Sequence, residues 1–445
     1  MRPFAPLQKT LMATLLPAFI ASAAFAASAG DPGLTVHEWG TFTSLSASDG
    51  RPLGGLYVDA SRLPAFVYGV PFFNFDASQD GWASLDKLRH VTVKMETPVL
   101  YFYAQQETDV DVKVRFNGGT ISQWYPQCYD CETAPAGKSV DFAKAPYQGH
   151  IGWKAKVLAP GTVLPFTTTA SGQETGEWTA PRNVGSNLIR GEKGEVEQFL
   201  FYRGLGSFGN TVKLAFQNDS AFTVTNDGDE DIAFAMVYDR KYADLNMSDA
   251  AILYSGPLKA HAKLSLVHHA VTVTDYLARA AMDNLLAAMV AAGLTTEEGR
   301  ALLNTWYNGY FIEGGLKAFW IVPRAMTDRI LPLTIIPAPT ELKRVIVGRS
   351  EIFPPGFEKE LRAALAADSL SKYSKDKYWM AYQDLLYPGK DWSAATGVSR
   401  YPTRNPSLYQ SGRFESGRVR AESAPLFQWG ARPADALGRT PAPRR

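Results

Sequence analysis

Asp109-Val110-Asp111-Val112-Lys113-Val114-Arg115-Phe116 alternates apolar and charged side chains without a break, and Asn117-Gly118-Gly119 follows it. Successive side chains of a strand point to opposite faces. This stretch therefore predicts a half-buried strand with Val110, Val112, Val114 and Phe116 inward and Asp109, Asp111, Lys113 and Arg115 outward. The Asn-Gly-Gly run is hairpin chemistry, because it supplies residues that tolerate positive φ. Residues 120–125 then return as the partner strand.

Working outward, the β signal extends from residue 34 to about 274. Residues 34–43, 90–95, 99–103, 211–216, 221–225, 232–238 and 262–273 read as strands, with 226–229 as a turn. Short strands at this spacing predict an antiparallel β-sandwich-like region. The pattern then turns helical. Leu277, Ala281, Leu285 and Met289 recur every fourth residue, Gly293 is a stop signal, and Thr295 with Glu298 forms a capping box for a second helix reaching about Tyr307. Residues 319–322, 330–336 and 344–347 read as strands among prolines, and 357–367 and 375–386 as short helices. The expected class is α+β. The expected organisation is a signal segment (1–26), a β-rich sandwich-like domain (27–274), a helical hairpin with a mixed α/β region (275–390) and an irregular basic tail (391–445).

The opening segment has basic Arg2 and Lys9, an apolar run of about 12 residues and small residues at Ala24-Phe25-Ala26. That is the layout of a cleavable export signal, and the run is too short to span ~30 Å of hydrocarbon. It implies a secreted or periplasmic protein, and no later segment is long and apolar enough to span a membrane. Net charge is +1 over 445 residues. Near neutrality excludes a global field for nucleic acid. Aromatic residues make up 12% of the chain, including ten Trp. Cys128 and Cys131 form the pair Cys-Tyr-Asp-Cys in loop-like surroundings. The readings are a local disulfide, idle thiols or a redox pair; a four-thiolate zinc site is excluded.

Familiar catalytic signatures are absent, and no cofactor is implied. Gly204-Leu205-Gly206-Ser207-Phe208-Gly209 matches G-x-G-x-x-G but precedes no helix, so it reads as a glycine-rich loop. Residues 226–231 form an acidic turn without EF-hand spacing. Of the histidines, His37 and His90 lie on two different expected strands and are the candidate metal ligands. His268 and His269 point to opposite faces of a strand. The stronger signal is charge inside apolar runs. Glu38, Glu96 and Glu313 are the candidate acid/base carboxylates, and Trp39, Arg203, Arg349 and Glu351 the candidate binding residues. A carboxylate embedded this way is costly unless paired or functional. Two of them could serve as the acid and base of glycoside hydrolysis, or they could tie the β region to later segments by Glu–Arg pairs.

Val36-His37-Glu38-Trp39-Gly40-Thr41-Phe42-Thr43-Ser44 resembles the opening block of a group of exported bacterial proteins to which no activity is assigned. Residues 94–103, 198–206 and 330–351 are similar to later blocks of that group; Cys128 and Cys131 fall outside them. The resemblance implies export and a shared fold, and carries no substrate. Three functions follow as expectations: a binding or structural protein of the cell envelope, with envelope glycan or another envelope protein as partner; a hydrolase of extracellular or envelope polymer; and a metal protein built on His37 and His90.

Overall fold

The computed structural model describes residues 33–56, 63–69, 88–132, 140–142, 144, 147–169, 174, 176–240, 250–267, 277–373 and 378–388. The expected signal segment, the basic tail, His268 and His269 lie outside them. The fold is mostly β and of the α+β class, organised on a 15-stranded sheet.

The long strands are β1 (Thr35–Ser46), β2 (Val93–Tyr103), β3 (Thr108–Asn117), β4 (Gly119–Tyr125), β5 (Gln148–Val157), β6 (Leu200–Gly206), β7 (Val212–Phe216), β8 (Ala221–Asn226), β9 (Ile232–Arg240), β10 (Ala250–Leu258), β11 (Lys263–Val267), β12 (Gly315–Ile321), β13 (Leu333–Ile336) and β14 (Glu341–Ile352). Across the main sheet they run β5-β4-β6-β2-β1-β14-β12-β9-β10, while β3 pairs β5 and β13; β7, β8 and β11 form a separate three-stranded sheet. The sheet is not purely antiparallel, because β1 and β14 pair in parallel from Thr35↔Glu341 to Ser46↔Ile352. This pairing joins the beginning of the β region to a strand beyond residue 340. The change of pattern near residue 274 is thus no boundary in the sheet: β12 and β14, from beyond it, lie between β1 and β9.

Alternation along the strands sorts two cores. On one face Val36 and Phe42 of β1 and Ile346 of β14 pack with Val110, Val112, Val114 and Phe116 of β3, Trp153 of β5 and Leu214 of β7. The quoted alternation is thus expressed as burial, since Asp109, Lys113 and Arg115 are exposed. On the other face Trp39, Val345, Val347 and Phe319 pack under α1 (Leu277–Ala291) and α2 (Thr296–Tyr307) through Ala281, Leu285, Met289, Leu302 and Trp306. At ~1.5–3 kcal/mol for each fully buried large apolar side chain, these two faces hold the sheet and hairpin together. The capping box forms: Glu298 N–H donates to Thr295 Oγ1 at 3.1 Å, and Thr295 N–H to Glu298 Oε2 at 2.7 Å. A third cluster joins Leu45 and Phe353 to α4 (Pro355–Ala366) and α5 (Trp379–Leu386). Between β12 and β13 the chain forms α3 (Arg324–Ile330), where residue 330 was expected to open a strand; the strand starts at Leu333.

Gly204 and Gly206 belong to β6 rather than to a loop. A Cβ on Gly204 would sit 2.6 Å from Thr120 O, and one on Gly206 2.5 Å from Gly118 O. Glycine is required there by close packing of backbone and the Phe116 ring, which replaces any phosphate-binding reading.

Candidate functional site

Adjacent residues of β1 face opposite ways, and this divides the embedded charges. Glu38 points into the first core. Its Oε1 accepts from Tyr202 Oη at 2.6 Å and its Oε2 from Arg344 Nε at 2.5 Å, with the carboxylate wholly buried. Arg344 also donates to Asp328 at 2.7 Å. Burial works against the Arg344 charge, but Glu38 prevails and holds its pKa above the usual arginine range.

Glu96 lies on the other face, with Thr41 and Thr43. Thr43 Oγ1 donates to its carboxylate at 2.7 Å, and Lys94 Nζ stands 2.9 Å away. Burial would raise its pKa. Lys94, Arg203, the Thr43 hydroxyl and Arg349 together overcome that and hold it at about 2. The neighbouring backbone is irregular. Thr97 has φ 45°, β1–β2 pairing shifts register between Trp39 and Thr41, and β4–β6 pairing shifts between Arg203 and Gly204. A β-branched residue in the left-handed region is uncommon, and bulges re-aim side chains.

Arg349 and Glu351 extend this group along β14. Arg349 Nη2 donates to Glu351, which also accepts from Tyr378 Oη at 2.9 Å. Past the end of α2 the chain makes a π-helical turn, Asn308–Ile312, and its carbonyls meet the sheet. Gly309 O accepts from Arg349 at 3.0 Å, Phe311 O from Tyr238 Oη at 3.1 Å, Ile312 O from Arg240 Nε at 2.9 Å, and Glu313 O from Lys317 Nζ. A helix C-terminus leaves carbonyls unsatisfied and carries partial negative charge. Buried cations on three strands satisfy both needs. Half-buried Glu313 also acts electrostatically on Arg349.

The structure therefore brings Glu96, Arg203, Arg349, Glu351 and Glu313 into one polar region, and leaves Glu38 outside it, on the opposite face. Trp39 is wholly buried, 6.4 Å from the Tyr101 ring centroid, so it packs the hairpin and offers no surface to a ligand. His37 and His90 do not meet. His37 pairs opposite Tyr101, near one end of β2; His90 precedes Val93 at the other end. At ~3.3 Å per residue those ends are ~26 Å apart. His37 Nδ1 donates to Glu298, which also accepts from Tyr103 Oη at 2.7 Å, and exposed His90 pairs with Asp141 at 2.6 Å. Among the described residues no group of three or more His, Cys, Asp or Glu side chains is placed to hold a metal ion. The acidic turn disperses its charges: Asp227 to Lys213 at 2.6 Å, Asp229 to His261 at 3.3 Å and Asp231 to Lys259 at 2.7 Å. Cys128 and Cys131 are joined in a disulfide. Sequence reasoning missed Arg344, Lys317 and Arg240; each is a charge within or ending an apolar run, the signal that found the others.

No family model matches the chain, and no curated protein matches it. Solved structures similar to it include the yeast delta-COP-I mu-homology domain complexed with a Dsl1 WxWxV peptide, at 5% identity and TM-score 0.24 over 72% of this chain and 96% of that one. Another is the Fcho1 Mu homology domain of Danio rerio with a bound Eps15 peptide, at 7% identity and TM-score 0.25 over 72% and 95%. Likeness at this level carries no argument about fold or function.

Proposed function

We propose that this is an exported, secreted or periplasmic, protein of the bacterial envelope that binds envelope glycan without hydrolysing it, its β-rich region closing as a sandwich. The observation that carries this reading is the state of the candidate carboxylates. Glu38 and Glu96 face opposite sides of the sheet, so they cannot flank one glycosidic bond. Glu96, held at about 2, is neither an acid near neutral pH nor an effective base. The export-signal layout and the Cys128–Cys131 disulfide support an oxidising compartment. The hydrolase reading retains one observation in its favour, the left-handed Thr97 and the bulges beside Glu96 and Arg203, since strained backbone clusters at active sites.

Co-sedimentation of the purified mature protein with isolated peptidoglycan sacculi tests the proposal. The expected result is retention in the pellet, unchanged in Glu96→Gln, with no release of reducing ends. Release of reducing ends that disappears in Glu96→Gln would establish the hydrolase instead, and failure to pellet would refute peptidoglycan as the partner.

A further inference from the structure

The outward face of β3 and β5, remote from the buried charges, carries an aromatic ring held in place on every side. Tyr129 N–H donates to Gly152 O at 3.0 Å, and its hydroxyl donates to Asp111 at 3.0 Å. The phenol end crosses directly over Gly152, where a Cβ would stand 3.2 Å from the ring. The Cys128–Cys131 disulfide brackets the residue, and Trp153 Nε1 pins the preceding segment by donating to Pro126 O at 2.9 Å. A tyrosine this constrained would normally be buried, yet Tyr129 is 37% exposed. Its surroundings are amphipathic. Lys154 and Lys113 bring their ammonium groups to 4.9 and 5.6 Å from the ring centroid. Ile336, paired with Asp111 in register and so on the same face, is 62% exposed.

We propose that Tyr129, with Ile336, Lys113 and Lys154, is the docking platform for an acidic polysaccharide. This rests on the glycan-binding reading above and names the class of sugar. The C–H face of a pyranose suits a flat, immobile aromatic ring, and a rigid tyrosine gives contact area at low entropy cost. Tyr129, Asp111 and Asp130 already act on Lys113, so the complement to a uronate carboxylate falls chiefly to the Lys154 ammonium, which should make binding salt-sensitive. Gly152 and the disulfide share one purpose here, since one lets the ring lie across the sheet and the other keeps its loop there.

Isothermal titration with polyuronate oligosaccharides, and with cello-oligosaccharides as the neutral counterpart, tests the platform. Uronate binding is expected, weakened about tenfold or more by Tyr129→Ala, as for an aromatic anchor. Lys113→Ala/Lys154→Ala should remove most of the salt dependence while leaving the braced loop intact. Circular dichroism confirms folding of each variant. Equal or tighter binding of the neutral sugars would overturn the charge assignment. Uronate binding untouched by Tyr129→Ala, or none at all, would overturn the platform. Retention on sacculi that survives Tyr129→Ala would separate failure of the platform from failure of the binding reading.

Discussion

Glu38 and Glu96 stand on neighbouring strands, both buried, yet they are neutralised differently. Glu38 is matched to a single guanidinium, Arg344, with Tyr202 completing the contact on a face otherwise filled with apolar side chains. Glu96 is shared among Lys94, Arg203 and Arg349, on a face where cations also serve the carbonyls ending the helical hairpin. One carboxylate has a single cation, and the other is part of a lattice. Removing Arg344 leaves Glu38 with no cation, although Arg344 itself also reaches Asp328, whereas a lattice redistributes.

The largest effect is therefore expected at the Glu38–Arg344 pair. Arg344→Met should lower unfolding free energy by about 3–5 kcal/mol, because it leaves the wholly buried Glu38 carboxylate with only the Tyr202 hydroxyl; Glu38→Gln should cost less, because Arg344 keeps Asp328. The double replacement Glu38→Leu/Arg344→Met should recover most of the loss, since apolar substitutes for a buried pair are often tolerated. Urea denaturation of all three variants measures this. A double variant as weak as Arg344→Met would show that the pair supplies more than mutual neutralisation.

Glu96 sharpens the contrast through pH. Its folded pKa, about 2, lies below the unfolded value of 4.5, so its contribution is complete above pH 4.5 and is lost as pH falls from there toward 2. A shift of that size corresponds to about 3 kcal/mol. The wild-type protein should lose roughly that much more stability than Glu96→Gln across this window. Parallel acid-unfolding curves for the two would mean that the lattice does not hold the carboxylate ionised.

Local order was legible in the sequence, and long-range order was not. The alternation at Asp109–Phe116 gave a strand with the expected faces, and Thr295 with Glu298 gave a helix start, because both signals lie within a few residues. The parallel pairing of β1 with β14 brings residues 306 apart into register, and no local pattern encodes it. It was this pairing that turned Glu38 toward Arg344 rather than Arg349. Charges inside apolar runs correctly marked burial at Glu38, Glu96, Arg203, Arg349 and Glu351. They could not reveal which face each would occupy, because face depends on register and on the bulges at Thr97 and Arg203. Lys317 and Arg240 carry the same embedded-charge signal, but their partners are the backbone carbonyls of Glu313 and Ile312, which no side-chain pattern marks.

The smallest effect concerns the strain beside Glu96. Thr97 combines φ 45° with a following proline, though residues before proline favour extended backbone and β-branched residues avoid the left-handed region. The neighbouring strand leaves little freedom, because a Cβ on Gly40 would lie 2.9 Å from Pro98 Cα. Left-handed backbone costs a residue with a Cβ about 1–2 kcal/mol. Thr97→Gly removes that strain, but adds about 0.5–1 kcal/mol of unfolded-state entropy and loses about 0.8 kcal/mol of buried methyl. The net change should stay within about 1 kcal/mol of wild type. Thr97→Ala keeps the Cβ and therefore the strain, so it should be less stable than Thr97→Gly by about 1 kcal/mol. Thermal unfolding of the two variants decides the matter, and an alanine variant more stable than the glycine one would refute strain at this position. The same pair bears on function. If the strain aims Glu96 at a ligand, Thr97→Gly keeps its stability while glycan retention or reducing-end release falls; if it only lets β2 pass Gly40, both stay at wild-type level.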